Sequence, residues 1–177
     1  MTNAVPPTSG NGSNQDSPAT RIAAFEPRWS ADFARLNLEW LRRWFVVEPV
    51  DEEILNDPGQ HILADGGRVL FALQGEGAGE RVIGTVALRH DGDGVYELTK
   101  MAVEPELRGS GIGRALLVAA IDAFREMRGH ELYLESSSIL KPALALYESA
   151  GFCHRPAPRP GSHYARADVY MVWRRPQ

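Results

Sequence analysis

Between Arg108 and Leu117 the chain reads RGSGIGRALL, three glycines in five positions followed by a helix-forming run. Glycine lets a backbone approach a ligand closely and take positive φ. The start of a helix carries unpaired N–H groups and the positive end of the helix dipole, so an anion is favoured there. A tight curl of N–H groups at Gly109, Ser110, Gly111, Ile112, Gly113 and Arg114 suits the two phosphates of a pyrophosphate, and Arg108 and Arg114 bracket it with positive charge. Spacing excludes two familiar phosphate motifs. A dinucleotide fingerprint needs glycine where Arg114 stands, and a P-loop needs Gly-Lys-Ser/Thr at its end, which does not occur. The competing reading is a tight strand-to-helix turn that holds nothing.

The elements around this loop follow from periodicity. TRIAAF (20–25) reads as a first strand, and Ser30 as the N-cap of a helix whose Phe33, Leu36, Trp40, Leu41 and Trp44 recur at helical spacing. Arg35, Glu39 and Arg43, four residues apart, are expected to pair weakly on another face. DEEILN reads as a short second helix stopped by Asp57-Pro58-Gly59. RVLFALQ (68–74) and RVIGTVALRH (81–90) flank GEGAGE as an antiparallel hairpin, and DGDG then turns the chain into VYELTKMAV (95–103). Leu116, Leu117, Ala120, Ile121, Phe124 and Met127 form the apolar stripe of a helix after Gly113. ELYLES (131–136) is a strand, and KPALALYESAG a helix with Pro142 in its first turn and Gly151 ending it. FCH and ADVYMVW close as strands around a proline-rich loop. This order predicts an α/β (mixed α+β) fold with one mixed, mostly antiparallel sheet flanked by helices.

Composition narrows the function. With 177 residues, 44% hydrophobic and 24% charged, the chain has the make-up of one globular domain, expected over 20–177, and residues 1–19, small and polar, are expected to form a disordered tail. A net charge of -4 argues against a nucleic-acid partner, and no apolar run approaches the roughly 18 residues of a membrane span. One cysteine, Cys153, excludes an intrachain disulfide and fits a cytoplasmic setting; five scattered histidines leave no metal-ligand spacing, so no metal is expected.

The segment ELTKMAVEPELRGSGIGRALLVAAI resembles the acetyl-CoA-binding segment of the GNAT (Gcn5-related N-acetyltransferase) superfamily, whose Arg/Gln-x-x-Gly-x-Gly/Ala signature is met by Arg108, Gly111 and Gly113. LALYESAGF (144–152) resembles the family's second signature, and the likeness spans about 20–173, closest to small bacterial single-domain members. The resemblance implies a GNAT-like sheet with helices on both faces and acetyl-CoA as cofactor. By the same carry-over, main-chain groups of Met101, Ala102 and Val103 pair with the pantetheine arm while the 109–114 loop holds the phosphates. It further implies Glu97 as general base and Tyr147 as general acid. Many members carry an asparagine before that tyrosine; here SSSILKP stands instead, with Ser136, Ser137 or Ser138 as substitutes.

The chemistry asks for such groups. A lysine-like amine has a pKa near 10.4, so a proton must leave before it attacks, and the thiolate leaving group must gain one. Strand alternation would put Val95, Glu97, Thr99, Met101 and Val103 on one face, and Lys100, solvated, on the other. Cys153 has no adjacent base for a covalent route. Trp29, Trp40, Trp44 and Phe45 are read either as core or as an aromatic pocket for an amine. Arg155, Arg159, His163, Tyr164 and Arg166 form a solvated loop or supply a clamp for an acceptor carboxylate. The expected enzyme moves an acetyl group to a primary amine of a small molecule. A protein lysine or N-terminal acetyltransferase and a non-catalytic acetyl-CoA sensor are the alternatives, and homodimerisation stays open.

Overall fold

The computed structural model describes residues 19–162 and 164–174; the expected tail lies outside them except for Ala19, and so does His163. The chain runs β1 (Thr20–Ala24), α1 (Ser30–Trp44), α2 (Pro49–Asn56), β2 (Arg68–Gln74), β3 (Arg81–His90), β4 (Val95–Val103), α3 (Ile112–Glu126), β5 (Glu131–Ser136), α4 (Lys141–Ser149), β6 (Phe152–Arg155) and β7 (Val169–Trp173). The strands form one seven-stranded sheet in the order β1-β2-β3-β4-β5-β7-β6. Every neighbouring pair is antiparallel except β4 and β5.

Helices cover both faces because successive strand residues point to opposite sides. In β2, Val69, Phe71 and Leu73 join Phe33, Leu36 and Leu41 of α1 and Ile54 and Leu55 of α2 in one core. Leu70 and Ala72 join the other core with Leu116, Leu117, Ala120 and Phe124 of α3. Trp29 belongs to the first core, its ring 5.5 Å from Phe71 in edge contact. Ser30 is not the cap of α1 but its first residue: a helical turn at Pro27–Trp29 leads in, and no side chain caps the end. Arg35 pairs with Asp32 and Glu104 rather than with Glu39.

Two irregularities shape the centre of the sheet. β4 and β5 pair only at Val95–Glu131, Tyr96–Leu132 and Glu97–Tyr133, then diverge. On its other side β4 carries a bulge: Ala87 pairs with Thr99 but Thr85 with Ala102, so β4 holds one extra residue. Lys100 sits in this bulge at φ 51, a left-handed conformation uncommon for a non-glycine residue. The bulge breaks the expected alternation. Tyr96 and Leu98, and beyond the bulge Met101 and Val103, all pack on the α3 core, whereas Ala102 packs on the α1 core. Glu97 therefore does not share a face with Met101 and Val103.

Gly129, between α3 and β5, brings the chain so close to the core that an added Cβ would lie 2.1 Å from Phe124 Cε2 and 2.9 Å from Tyr96 Cδ2. Gly129→Ala should cost about 1–3 kcal/mol, a midpoint fall of roughly 2–4 °C per kcal/mol in thermal unfolding. Gly79→Ala, where nothing lies within 4 Å, should leave the midpoint unchanged.

Candidate active site

The splay of β4 and β5 opens a cavity of about 560 Å³ that runs from the α3 loop to the C-terminal end of α1. Met101, Ala102, Val103, Arg108, Gly109, Gly111, Gly113, Arg114, Ser137 and Tyr147 all line it, whereas Ser110 and Ile112 do not, so most of the expected cofactor residues come together around one cavity. Beyond Glu97 the edge of β4 that faces β5 has no strand partner, leaving main chain from Leu98 to Ala102 open to a ligand, while Val103 O accepts from Arg108.

The glycine loop has the features of an anion cradle. Gly109 and Gly111 hold φ of 80° and 92° with open space where a Cβ would project. The N–H of Ser110 donates to Leu107 O and that of Ala115 to Gly111 O, but among the described residues those of Gly109, Gly111, Ile112, Gly113 and Arg114 find no acceptor. Ser110 Oγ donates to Leu107 O at 2.5 Å and so braces the loop rather than reaching inward. Arg108 Nε donates to Val103 O, and Arg114 Nη2 to Ser149 Oγ of α4. Five free N–H donors at a helix start fit a pyrophosphate, as coenzyme A carries.

Tyr147 of α4 is half-buried beside Phe152, and desolvation pushes its hydroxyl up to about 12. Ser137 is buried; its neighbour Ser138 donates from N and Oγ to Asp168 at 2.7 and 2.5 Å, tying this turn to the start of β7.

Glu97 is buried behind the cavity wall and does not line it. Arg89 Nη2 stands 2.7 Å from its Oε2 without hydrogen-bond alignment. Burial raises the carboxyl above the usual range; Arg89 and Lys100 pull it back and the neighbouring Glu135 adds to the rise. Glu135 is the acidic group that sequence reasoning missed. It lines the cavity, and its Oε1 is buried with no hydrogen-bond partner. The signal was present in ELYLES: Leu132 and Leu134 take the α3 core, leaving Tyr133 and Glu135 the opposite side.

Lys100 corrects its expected place on a solvated face, because the bulge turns it inward, where it is 8% exposed. Its Nζ donates to Asp51 Oδ1 at 2.6 Å and to Tyr164 Oη at 3.4 Å. Asp51, fully buried in α2, also accepts from Arg166 Nη1 and Nη2 at 2.8 and 2.9 Å and from the N–H of Glu48. Arg166 Nη1 reaches Glu48 Oε1 as well. Burial alone would raise Asp51, but the hydrogen bonds from Arg166 and the charge of Lys100 more than offset it and hold its carboxyl below the usual range. Burial lowers Lys100, with Asp51 opposing.

The aromatic residues divide. Trp29 is core, while Trp40, Trp44 and Phe45 line the cavity with Leu41. Arg159 pairs with Asp91, Arg155 is exposed away from the cavity, and Tyr164 and Arg166 of the 155–166 loop line it. Cys153 is half-buried in β6, outside the cavity. Among the described residues no group of three or more metal-ligating side chains occurs, and no helix is long and apolar enough to cross a membrane.

A mixed α/β sheet split at its parallel pair, with a helix start carrying free N–H groups at the split, is the frame that the comparisons match. Residues 27–152 match the Acetyltransferase (GNAT) family, and the chain belongs to that family as an acetyltransferase. It is 31% identical over 140 residues to the uncharacterized N-acetyltransferase YjgM of Escherichia coli K12, covering 79% of this chain and 78% of that one. The solved GNAT acetyltransferase from Staphylococcus aureus Mu50 superposes with a TM-score of 0.77 at 19% identity over 88% of this chain and 98% of its own. A PaiA N-acetyltransferase from Thermoplasma acidophilum, solved in complex with coenzyme A, superposes at 0.66 with 18% identity over 89% of this chain and 99% of its own.

Asp51→Ala leaves Lys100 and Arg166 buried without their shared partner and should cost about 3–5 kcal/mol by denaturant unfolding. Because folding depresses this carboxyl, its contribution is full above the ordinary aspartate value of about 3.9 and is lost as pH falls through the folded value. The wild type should therefore lose stability over that acid range by a margin that Asp51→Ala lacks.

Proposed function

We propose that this protein transfers an acetyl group from acetyl-CoA directly to a primary amine of a small molecule. The observation that carries the reading is the set of free N–H groups at Gly109 and Gly111–Arg114 beside the same cavity that Tyr147 and Glu135 line. Acetyl-CoA, when bound, supplies an acetyl thioester activated for transfer to nitrogen. The loop N–H groups, with Arg108 and Arg114 beside them, hold the pyrophosphate, and the edge of β4 from Met101 to Val103 bonds the pantetheine arm. Ser137, on the same wall, takes the place of the usual asparagine.

The acceptor arrives as an ammonium and must lose a proton. Glu135, at the cavity wall, receives the ammonium and accepts its proton first, and Glu97, buried behind the wall, takes that proton on as the base. Two neighbouring carboxylates, one desolvated, make a better proton acceptor than a solvated glutamate, since both effects favour the protonated form. A main-chain N–H at the bulge, that of Met101 or its neighbour, meets the carbonyl oxygen as it gains charge. Tyr147 gives its proton to the departing sulfur, and its raised pKa keeps that proton in place through neutral pH.

Thermal unfolding with acetyl-CoA, coenzyme A and NADH as control tests the donor site. At 100 times its dissociation constant a ligand adds about 2.7 kcal/mol, a midpoint rise of several degrees expected for the two CoA species alone; no rise removes the reading. Gly111→Glu, which places a carboxylate against the phosphates, should abolish the shift. Tyr147→Phe and Glu97→Gln should each lower kcat by about 100-fold or more while keeping the acetyl-CoA shift. Glu97 works ionised and its pKa is raised, so kcat should fall with pH through a value above the ordinary glutamate's about 4.3, and Glu97→Gln should flatten that limb.

A further inference from the structure

The acceptor half of the cavity has a charge pattern that selects among amines. Lys100 and Arg166 are its cations, and both are consumed. Asp51 takes Lys100 Nζ at 2.6 Å and both Nη atoms of Arg166, and Glu48 takes Arg166 Nη1 again, so two cations face two anions. Among the residues that line the cavity, a substrate carboxylate would have to break these contacts to find a positive partner, because Arg108 and Arg114 stand beside the glycine loop; Arg43, stacked 5.6 Å over the Trp44 ring, is exposed to water outside the lining. A carboxylate clamp from the 155–166 loop, one of the two readings of that segment, is thus ruled out at Arg166, whose guanidinium is taken by Asp51 and Glu48.

The opposite charge is scarce as well. Among the described residues lining the cavity, Glu135 is the one acidic side chain, and its buried Oε1 lacks a partner. One ammonium satisfies it; a second, as in a polyamine, finds no carboxylate. The remaining wall is aromatic. Trp40 and Phe45 lie 5.6 Å apart, and Trp44 is 46% exposed at the rim although it is a large apolar side chain. Ile139, also lining the cavity, is 55% exposed. An exposed tryptophan and isoleucine on one cavity are uncovered apolar surface of the kind that marks a ligand groove.

Building on the acetyl-CoA reading, we infer that the acceptor is a hydrophobic monoamine without a carboxylate, its ammonium on Glu135 and its apolar body against Trp40, Trp44 and Phe45.

Steady-state acetylation of phenethylamine, hexylamine, free phenylalanine, spermidine and a short peptide with a free N-terminus, read as thiol release, tests this. Phenethylamine should exceed phenylalanine, the same amine bearing a carboxylate, by about 100-fold or more in kcat/KM, since a charge desolvated against this wall without a partner is rejected strongly. Trp44→Ala should raise the KM for phenethylamine about 10-fold and leave the acetyl-CoA KM in place. Glu135→Gln should lower kcat/KM for every amine without changing the acetyl-CoA thermal shift. Phenylalanine, spermidine or the peptide turning over as well as the apolar amines overturns the inference. So does an acetyl-CoA thermal shift with no turnover of either apolar amine, which leaves the donor site standing; absence of that shift instead overturns the donor reading.

Discussion

Parallel pairing between β4 and β5 lasts three residues, from Val95–Glu131 to Glu97–Tyr133, and then the strands separate. Main chain cannot be left unpaired inside a protein without a partner or solvent, so the gap must hold water or ligand, and the cavity is its result. The separation places the free edge of β4 opposite α4, the glycine loop at one end and α1 at the other. β5 can leave β4 because it has β7 on its far side, paired through Tyr133–Val172 to Ser136–Val169. A sheet without that second partner would lose the strand that carries Glu135.

The bulge at Lys100 and the charge group around Asp51 act together. A left-handed non-glycine residue is strained, and this one is held by an ion pair that reaches α2 and a loop before β7. The same extra residue sends Met101 to the α3 side and Ala102 to the α1 side, so one strand serves both ends of the cavity. Buried ion pairs seldom stabilise more than a well-packed apolar group would; here the pairing neutralises the two cations at the α1 end of the cavity.

Much of this was legible along the chain because it is local. The spans of β2, β3, β4 and β5 follow from apolar runs between turn residues, and the α3 loop from its glycines. Gly151, at φ 98, ends α4 as its spacing implied. What escaped depends on contacts between distant residues. Lys100 looks solvated until a bulge turns it toward Asp51, 49 positions away. Arg166 looks like a free clamp until α2, 115 positions earlier, meets it. Glu135 needed the knowledge of which strand face looks onto the gap. Trp29 and Trp40 have the same chemistry and different fates, one against Phe71 and one on the cavity, which turns on where α1 begins relative to the sheet.

The capping box of α2 has an evolutionary corollary. Asp51 bonds the N–H of Glu48 to start that helix and, with Glu48, grips Arg166 of the loop before β7. Drift at Arg166 therefore unsettles a helix start, and drift at Asp51 unsettles a loop, so neither wall can be retuned for a new acceptor in a single step. Trp44 is under no such tie: exposed at the end of α1, it can be exchanged residue by residue. A lineage of this fold would diversify its substrates along α1 while the opposite wall stayed constant.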